Sequence, residues 1–129
     1  MELRTFDKTV KINQAPRTTI PFITINERGK MNFSQAARRI FQLEEGHRVL
    51  FHQDIRYMND WYIEFTKELR GYKLVFGTTD TRITSAIVAR AMFRSIGKRP
   101  QKLTFPIVDR AMTREDKLLF RIDVKNQIK

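Results

Sequence analysis

One order of events occurs twice in this chain, and it restricts the fold more than any single motif. "ITIN", a turn, "KMNF", a capped helix, Gly46 and two further extended runs fill residues 18–69. "KLVFG", the turn "TTDT", "RIT", a second capped helix, Gly97 and two more extended runs fill residues 70–129. A shift of 51 places Ile23 on Leu74, Ile25 on Phe76, Ser34 on Ser85, Ala37 on Val88, Ile40 on Ala91, Phe41 on Met92 and Gly46 on Gly97. Arg39 then falls on Arg90 and Arg48 on Arg99, whereas Leu43 meets Arg94; three added residues move Val49 onto Leu103 and Phe51 onto Phe105. A unit this short cannot bury its apolar face alone and must pack on its copy. The expectation is a duplicated β-β-α-β-β unit, both copies packed as one domain, with residues 1–17 as an N-terminal arm or lead-in strand.

Local patterns support each element. "TTIPFITIN" reads as a strand after Pro21, with Ile23 and Ile25 on one face. Ser34 predicts an N-cap for a helix from Gln35 to about Leu43, with Ala36, Ala37, Ile40, Phe41 and Leu43 as its apolar stripe; Gly46 suits the left-handed position that ends a helix or closes a turn. "HRVLFHQD" and "DWYIEFTK" alternate and predict a hairpin across the polar connection "IRYMND". In the second half, "GYKLVFG" sets Tyr72, Leu74 and Phe76 on one face. Thr84 or Ser85 caps a helix to about Ile96, with Ile87, Val88, Ala91 and Met92 inward. "KLTFPIV" and "KLLFRIDV" then form a closing hairpin, with Leu118, Phe120, Ile122 and Val124 on one face.

Charge points to a partner. The 129 residues carry 25 Lys and Arg against 14 Asp and Glu, for a net charge of +11. Such an excess favours polyanions, nucleic acid before an anionic membrane surface. The cations are also segregated: Arg28, Lys30, Arg38 and Arg39 run without an acid between them, as do Arg82, Arg90, Arg94, Lys98, Arg99 and Lys102. The acids gather in "LEEG", "DWYIE" and "TRED". There is no cysteine, which removes disulfides, thiol catalysis and thiolate metal sites. The N-terminus has no continuous apolar signal core and no run reaches the ~18–20 apolar residues of a membrane span, so a soluble cytoplasmic protein is expected.

The stretch "ITINERGKMNFSQAARRIFQLEEGHRVLF…DWYIEF" resembles the AbrB-like swapped-hairpin proteins, which include bacterial transition-state regulators and some antitoxins. Leu43-Glu44-Glu45-Gly46-His47-Arg48-Val49 matches their "Leu-x-x-Gly-Asp-x-Val" corner, with His47 at the position where the family often has Asp. The resemblance covers residues 20 to 65, and the second half in outline. It implies a mostly-β α+β fold, a small barrel of two interlocked units with two short helices. Both units in one chain would make a monomer with pseudo-twofold symmetry, or a homodimer. It also implies duplex DNA binding, in a transcriptional regulator, through Arg and Lys displayed across the paired units.

Base reading needs a few Arg, Asn or Gln side chains in a groove; Arg28, Lys30, Asn32 and Gln35 are the candidates, with Arg82 as their second-half counterpart. The remaining cations of the two clusters supply phosphate contacts. Other chemistry is weaker. His47 and His52, on opposite faces of one strand, cannot share a metal. Asp54, Asp60 and Glu64 compose a carboxylate site on paper, with nothing to fix their spacing. No nucleophile elbow or phosphate-binding glycine motif is present, so neither an enzyme nor a cofactor is expected. Two other partners stay open. Trp61, Tyr62, Phe65, Tyr72 and Phe76 beside Arg70 and Lys73 could stack the bases of a single strand, although the shared face of Trp61, Ile63 and Phe65 is also what a core strand presents. An acidic protein partner is the third reading.

Overall fold

The computed structural model describes residues 20–78 and 80–128. The expected N-terminal arm, residues 1–17, lies outside them. Elements run β1 (Phe22–Ile25), β2 (Lys30–Phe33), α1 (Gln35–Ile40), β3 (Arg48–Gln53), β4 (Trp61–Thr66), β5 (Tyr72–Lys73), β6 (Val75–Phe76), β7 (Thr81–Thr84), α2 (Ala86–Ile96), β8 (Leu103–Pro106), β9 (Met112–Arg114) and β10 (Lys117–Ile122). The fold is mostly β, with two antiparallel five-stranded sheets. Sheet A has the order β6-β7-β2-β1-β8, and sheet B the order β5-β3-β4-β10-β9.

The strands alternate as period two demands. Ile23, Ile25, Met31, Phe33, Ile83, Leu103 and Phe105 turn inward from sheet A; Val49, Trp61, Ile63 and Ile122 turn inward from sheet B. The helices add Ala37, Ala89, Met92 and Phe93. Around α1 an aromatic group completes the core. Phe41 lies 5.0 Å from Phe65 and 4.4 Å from Phe120, ring centre to ring centre.

Long-range pairing joins the two halves of the chain. β2 pairs with β7 through Met31–Ile83 and Asn32–Arg82, and β4 pairs with β10 through Ile63–Phe120 and Trp61–Ile122. β1 pairs with β8, Ile25 opposite Leu103, while β3 pairs with β5, Val49 opposite Tyr72.

Several expectations change. The sheets do not close into a barrel. The run 72–76 breaks at buried Leu74, whose N–H donates to His47 O at 3.2 Å, leaving β5 on sheet B and β6 on sheet A. At the other seam β8 reaches β10 only near Ile107–Ile122, because Pro106 has no N–H with which to extend a ladder. The closing hairpin is therefore β9–β10, not β8–β10. Its turn holds Glu115 and Asp116 at φ 51° and 63°, the double positive φ of a tight hairpin.

Helix α1 ends at Ile40, short of Leu43. Gln42 adopts φ 51°, and Leu43 N–H donates to Arg38 O at 2.9 Å while Gln42 N–H donates to Arg39 O at 3.2 Å. That is the Schellman pattern with glutamine in the left-handed place. Gly97, at φ 70°, does the same for α2, so Gln42 is its counterpart. Gly46 closes the later turn into β3. On α2 the inward face is Ala89, Met92 and Phe93, with Val88 and Ala91 half-buried; Ile87 is 77% exposed. Ser85, not Thr84, caps α2, its hydroxyl accepting from Val88 N–H at 3.2 Å. Leu118 is exposed and Leu119 buried, against the expected alternation there.

Candidate nucleic-acid interface

The outward face of sheet A is polar by strand register. Val75, Arg82, Asn32, Thr24 and Thr104 form one row across all five strands. The Thr24 and Thr104 hydroxyls share a hydrogen bond of 2.9 Å. Asn32 and Arg82 meet at the centre. Arg82 turns its guanidinium to Asp80, Nη1 to Oδ2 2.6 Å, and the buried Oδ1 of Asn32 has no hydrogen-bond partner. Lys30, one step along β2 and exposed, stands opposite Thr84.

Arg28 is presented by a fixed turn. Asn26 Oδ1 accepts from the N–H groups of Arg28 and Lys30, both at 2.9 Å. Gly29 has φ 88°, and a Cβ there would lie 2.8 Å from the Ala86 backbone; Ser85 N–H also donates to Gly29 O at 2.9 Å. Only glycine satisfies both the dihedral and the approach. The turn bearing Arg28 is thus pressed onto the start of α2.

The helices leave from opposite ends of the β2–β7 ladder, α1 after Phe33 and α2 after Thr84. Arg38 lies over the Phe76 ring, 5.1 Å from its centre, and so belongs with Gln35 and Arg39 to the α1 end. Arg90 and Arg94, four apart, share an exposed side of α2, and Lys98, Arg99 and Lys102 follow it, all exposed. The structure therefore brings Lys30, Asn32 and Arg82 onto one face, sets Arg28 against the start of α2, and spreads the remaining cations along the helices. Arg28, Lys30, Arg90, Arg94, Lys98, Arg99 and Lys102 form no ion pair with any described residue.

Sheet B holds most of the ion pairs, although Lys73 on β5 and Arg114 on β9 are exposed and form none with a described residue. Every ion pair among the described residues except Arg82–Asp80 sits on it or at its connections. Glu64, 5% exposed, bonds His52 Nε2 at 2.9 Å and lies 3.8 Å from Lys117. Glu68 lies 3.3 Å from Lys117 and 3.5 Å from Arg70; the hydrogen bond from Lys117, then the positive charges of Arg70 and Lys117, hold its carboxyl below the usual carboxylate range. A groove of about 920 Å³ runs along this face, lined by His52, Tyr62, Glu64, Met112, Lys117 and Leu119 among others.

The histidines are separate: His47 Nδ1 accepts from Glu44 N–H at 2.9 Å, capping the corner before β3. Asp54 is consumed by its own loop, Oδ1 accepting from Arg56 N–H at 2.7 Å and Tyr57 N–H at 3.2 Å. Of the aromatics offered for single-strand stacking, Trp61 is buried and donates its indole N–H to Ser95 Oγ at 2.8 Å. Phe65 belongs to the aromatic group in the core, whereas Tyr62 and Lys73 face outward.

The β3–β4 connection, polar by its sequence pattern, exposes three large apolar side chains, Ile55, Tyr57 and Met58. Their density within "IRYMND" was the available signal. Comparison with protein-family models, with curated proteins and with solved structures finds no match for this chain.

Proposed function

We propose that this chain is a duplicated AbrB-like swapped-hairpin protein that binds duplex DNA without catalysis, as a transcriptional regulator. The observation that carries the reading is an acid-free run of cations: Arg28, Lys30, Arg90, Arg94, Lys98, Arg99 and Lys102 are exposed without an ion-pair partner among the described residues, and no acid stands between Arg82 and Lys102. A protein with no polyanionic partner would gain by spreading such cations among its acids.

Strand pairing supports the swapped arrangement. β2 pairs with β7 and β4 with β10, the pairs expected when two equivalent units meet across a twofold axis. β1 crosses to β8, while β5 crosses to β3. An axis between Asn32 and Arg82 relates Met31–Ile83 to Phe33–Thr81. Lys30 and Arg28, both exposed near the Asn32–Arg82 pair, would contact phosphates.

The test is fluorescence anisotropy with duplex, single-stranded and unrelated anionic probes across a salt series. Duplex binding with a steep negative salt slope is expected. Arg28→Ala with Lys30→Ala reduces that slope by about two and affinity at low salt about tenfold, with the melting temperature nearly unchanged. Preference for single strands would favour the stacking reading. Indifference to all oligonucleotides in dilute buffer would end the nucleic-acid reading and leave an acidic protein partner.

A further inference from the structure

Of the outward cations on the strands of sheet A, Lys30 and Arg82, only Arg82 has an ion-pair partner among the described residues. Its Nη1 donates to Asp80 Oδ2 at 2.6 Å, and the two side chains are 37% and 40% exposed. Asp80 is itself held, its backbone O accepting from Gly77 N–H at 2.8 Å. A Cβ at Gly77 would overlap Asp80 Oδ1 and stand 3.5 Å from Arg82 Nη1. The carboxylate and its arginine therefore lie close against a position that only glycine leaves open.

This pairing sets Arg82 apart from the other cations in two ways. The first is charge. A phosphate that approaches the guanidinium also meets the Asp80 carboxylate, so the pair attracts anions weakly and releases few counterions. That holds for a nucleic-acid backbone and for a lipid headgroup alike. The second is direction. A guanidinium is a rigid fork of five N–H donors. One is spent on Asp80, and the others have no partner among the described residues. The ladder neighbours on either side, Val75 and Asn32, add no charge. A fixed fork whose charge is already matched suits two adjacent neutral acceptors better than it suits an anion. In a duplex, guanine supplies such a pair on its major-groove edge, O6 and N7.

We propose that Arg82 reads a guanine and that Asp80 is the residue that positions it, with phosphates left to the unpaired Arg28 and Lys30. This rests on the reading that the chain binds duplex DNA.

The test uses the full chain and two duplexes of one mixed sequence, the second with every guanine replaced by deazaguanine, which has carbon in place of N7. Anisotropy is followed across a salt series, and circular dichroism melts establish that each variant folds. The native chain should bind the deazaguanine duplex about tenfold more weakly, with the same salt slope on both. Asp80→Ala with Arg82→Ala removes the pair without changing net charge, and should bind both duplexes alike at the native slope. Asp80→Ala alone frees the guanidinium for a phosphate: the slope should steepen by about one while the preference for guanine shrinks. Equal binding of the two duplexes by the native chain, a comparison that needs no variant, overturns the guanine contact and leaves duplex binding standing. A preference that survives in the double variant does the same, because the guanine is then read elsewhere. Native slope and preference in Asp80→Ala would remove Asp80 from its positioning role. If the native chain binds neither duplex, both readings fall.

Discussion

The stretches 22–66 and 72–122 run the same order of elements, yet no single offset carries one onto the other. Five residues separate Ile25 from its partner Met31, but only four separate Phe76 from Thr81. A one-residue change of register turns a strand over, so a constant shift of 51 would set inward Met31 on outward Arg82. The chain avoids this by slipping. In β7, Thr81 and Ile83 face inward as Met31 and Phe33 do in β2, which pairs Asn32 with Arg82 at a shift of 50. One added residue, Thr84, then restores 51 at the caps Ser34 and Ser85. At the helix ends the shift is 55, Gln42 to Gly97. Cap, face and ladder are maintained separately, while the spacing between them is free.

The halves differ most where they carry charge. α1 has six residues, and its Arg38 is drawn onto Phe76. α2 has eleven, keeps Arg90 and Arg94 in solvent, and leads into Lys98, Arg99 and Lys102. Edge registers differ as well. Shifts of 51 and 54 applied to the Ile25–Leu103 pair would set Phe76 opposite Val49, where Tyr72 stands. The central ladders keep the symmetry and the margins lose it.

The largest effect tests whether the halves are separable at all. Ala37 and Ala89 are both fully or almost fully buried, one in each helix. Ala37→Asp and Ala89→Asp each place a carboxylate in the core, with an expected loss of roughly 3–5 kcal/mol. Because β1 pairs with β8 and β3 with β5, either change should melt the whole chain in one transition. Urea unfolding followed by far-ultraviolet dichroism and Trp61 fluorescence checks it. Two separated transitions, with the unmodified half surviving, would mean that the halves fold alone and that the crossed pairings are weak.

What could be read in the sequence divides along the same line. The Ser34 cap, the second cap to within one residue, β1 to β4, the short β7 and the end of α2 were legible, because caps and period-two alternation are encoded within a few residues. The end of α1 was not, because Gln42 takes a conformation that favours glycine; of the two roles open to Gly46, closing a turn is the one it fills. The partner of β8 was not, because "KLTFPIV" fits either β1 or β10 and only the assembled core chooses. Of the candidate site, register joined Lys30, Asn32 and Arg82 across strands far apart in sequence. The exposed tip was hidden inside a stretch that looked like ordinary polar loop.

The helix ends offer a smaller and sharper contrast. Gln42→Gly relieves a left-handed residue and should raise stability by about 0.5–1 kcal/mol, after the greater unfolded-state freedom of glycine is deducted. Gly97→Gln imposes the same conformation on α2 and should lower stability by about 1 kcal/mol. Denaturant midpoints at constant slope measure both. Equal signs for the two changes would mean that Gln42 and Gly97 are not counterparts, and the shift of 55 at the helix ends would lose its meaning.

The smallest effect lies on sheet B and concerns why its charges are paired. Glu68, in the connection between the halves, meets Lys117 of the second half, and that hydrogen bond is the main reason its carboxyl titrates below the ordinary range. A carboxylate depressed in the folded state stabilises above its unfolded pKa, and that contribution is lost as pH falls through the folded one. Lys117→Met should therefore return the Glu68 titration, followed by side-chain carboxyl NMR, toward the ordinary value. It should also cost a little stability near neutrality and nothing once the group is protonated in both states. The bond is solvent-exposed, so salt should shrink the difference. A Glu68 curve unmoved by the substitution would shift the cause to Arg70, its neighbour two residues on. The sheet B ion pairs would then have to be treated as local, not as ties between the halves.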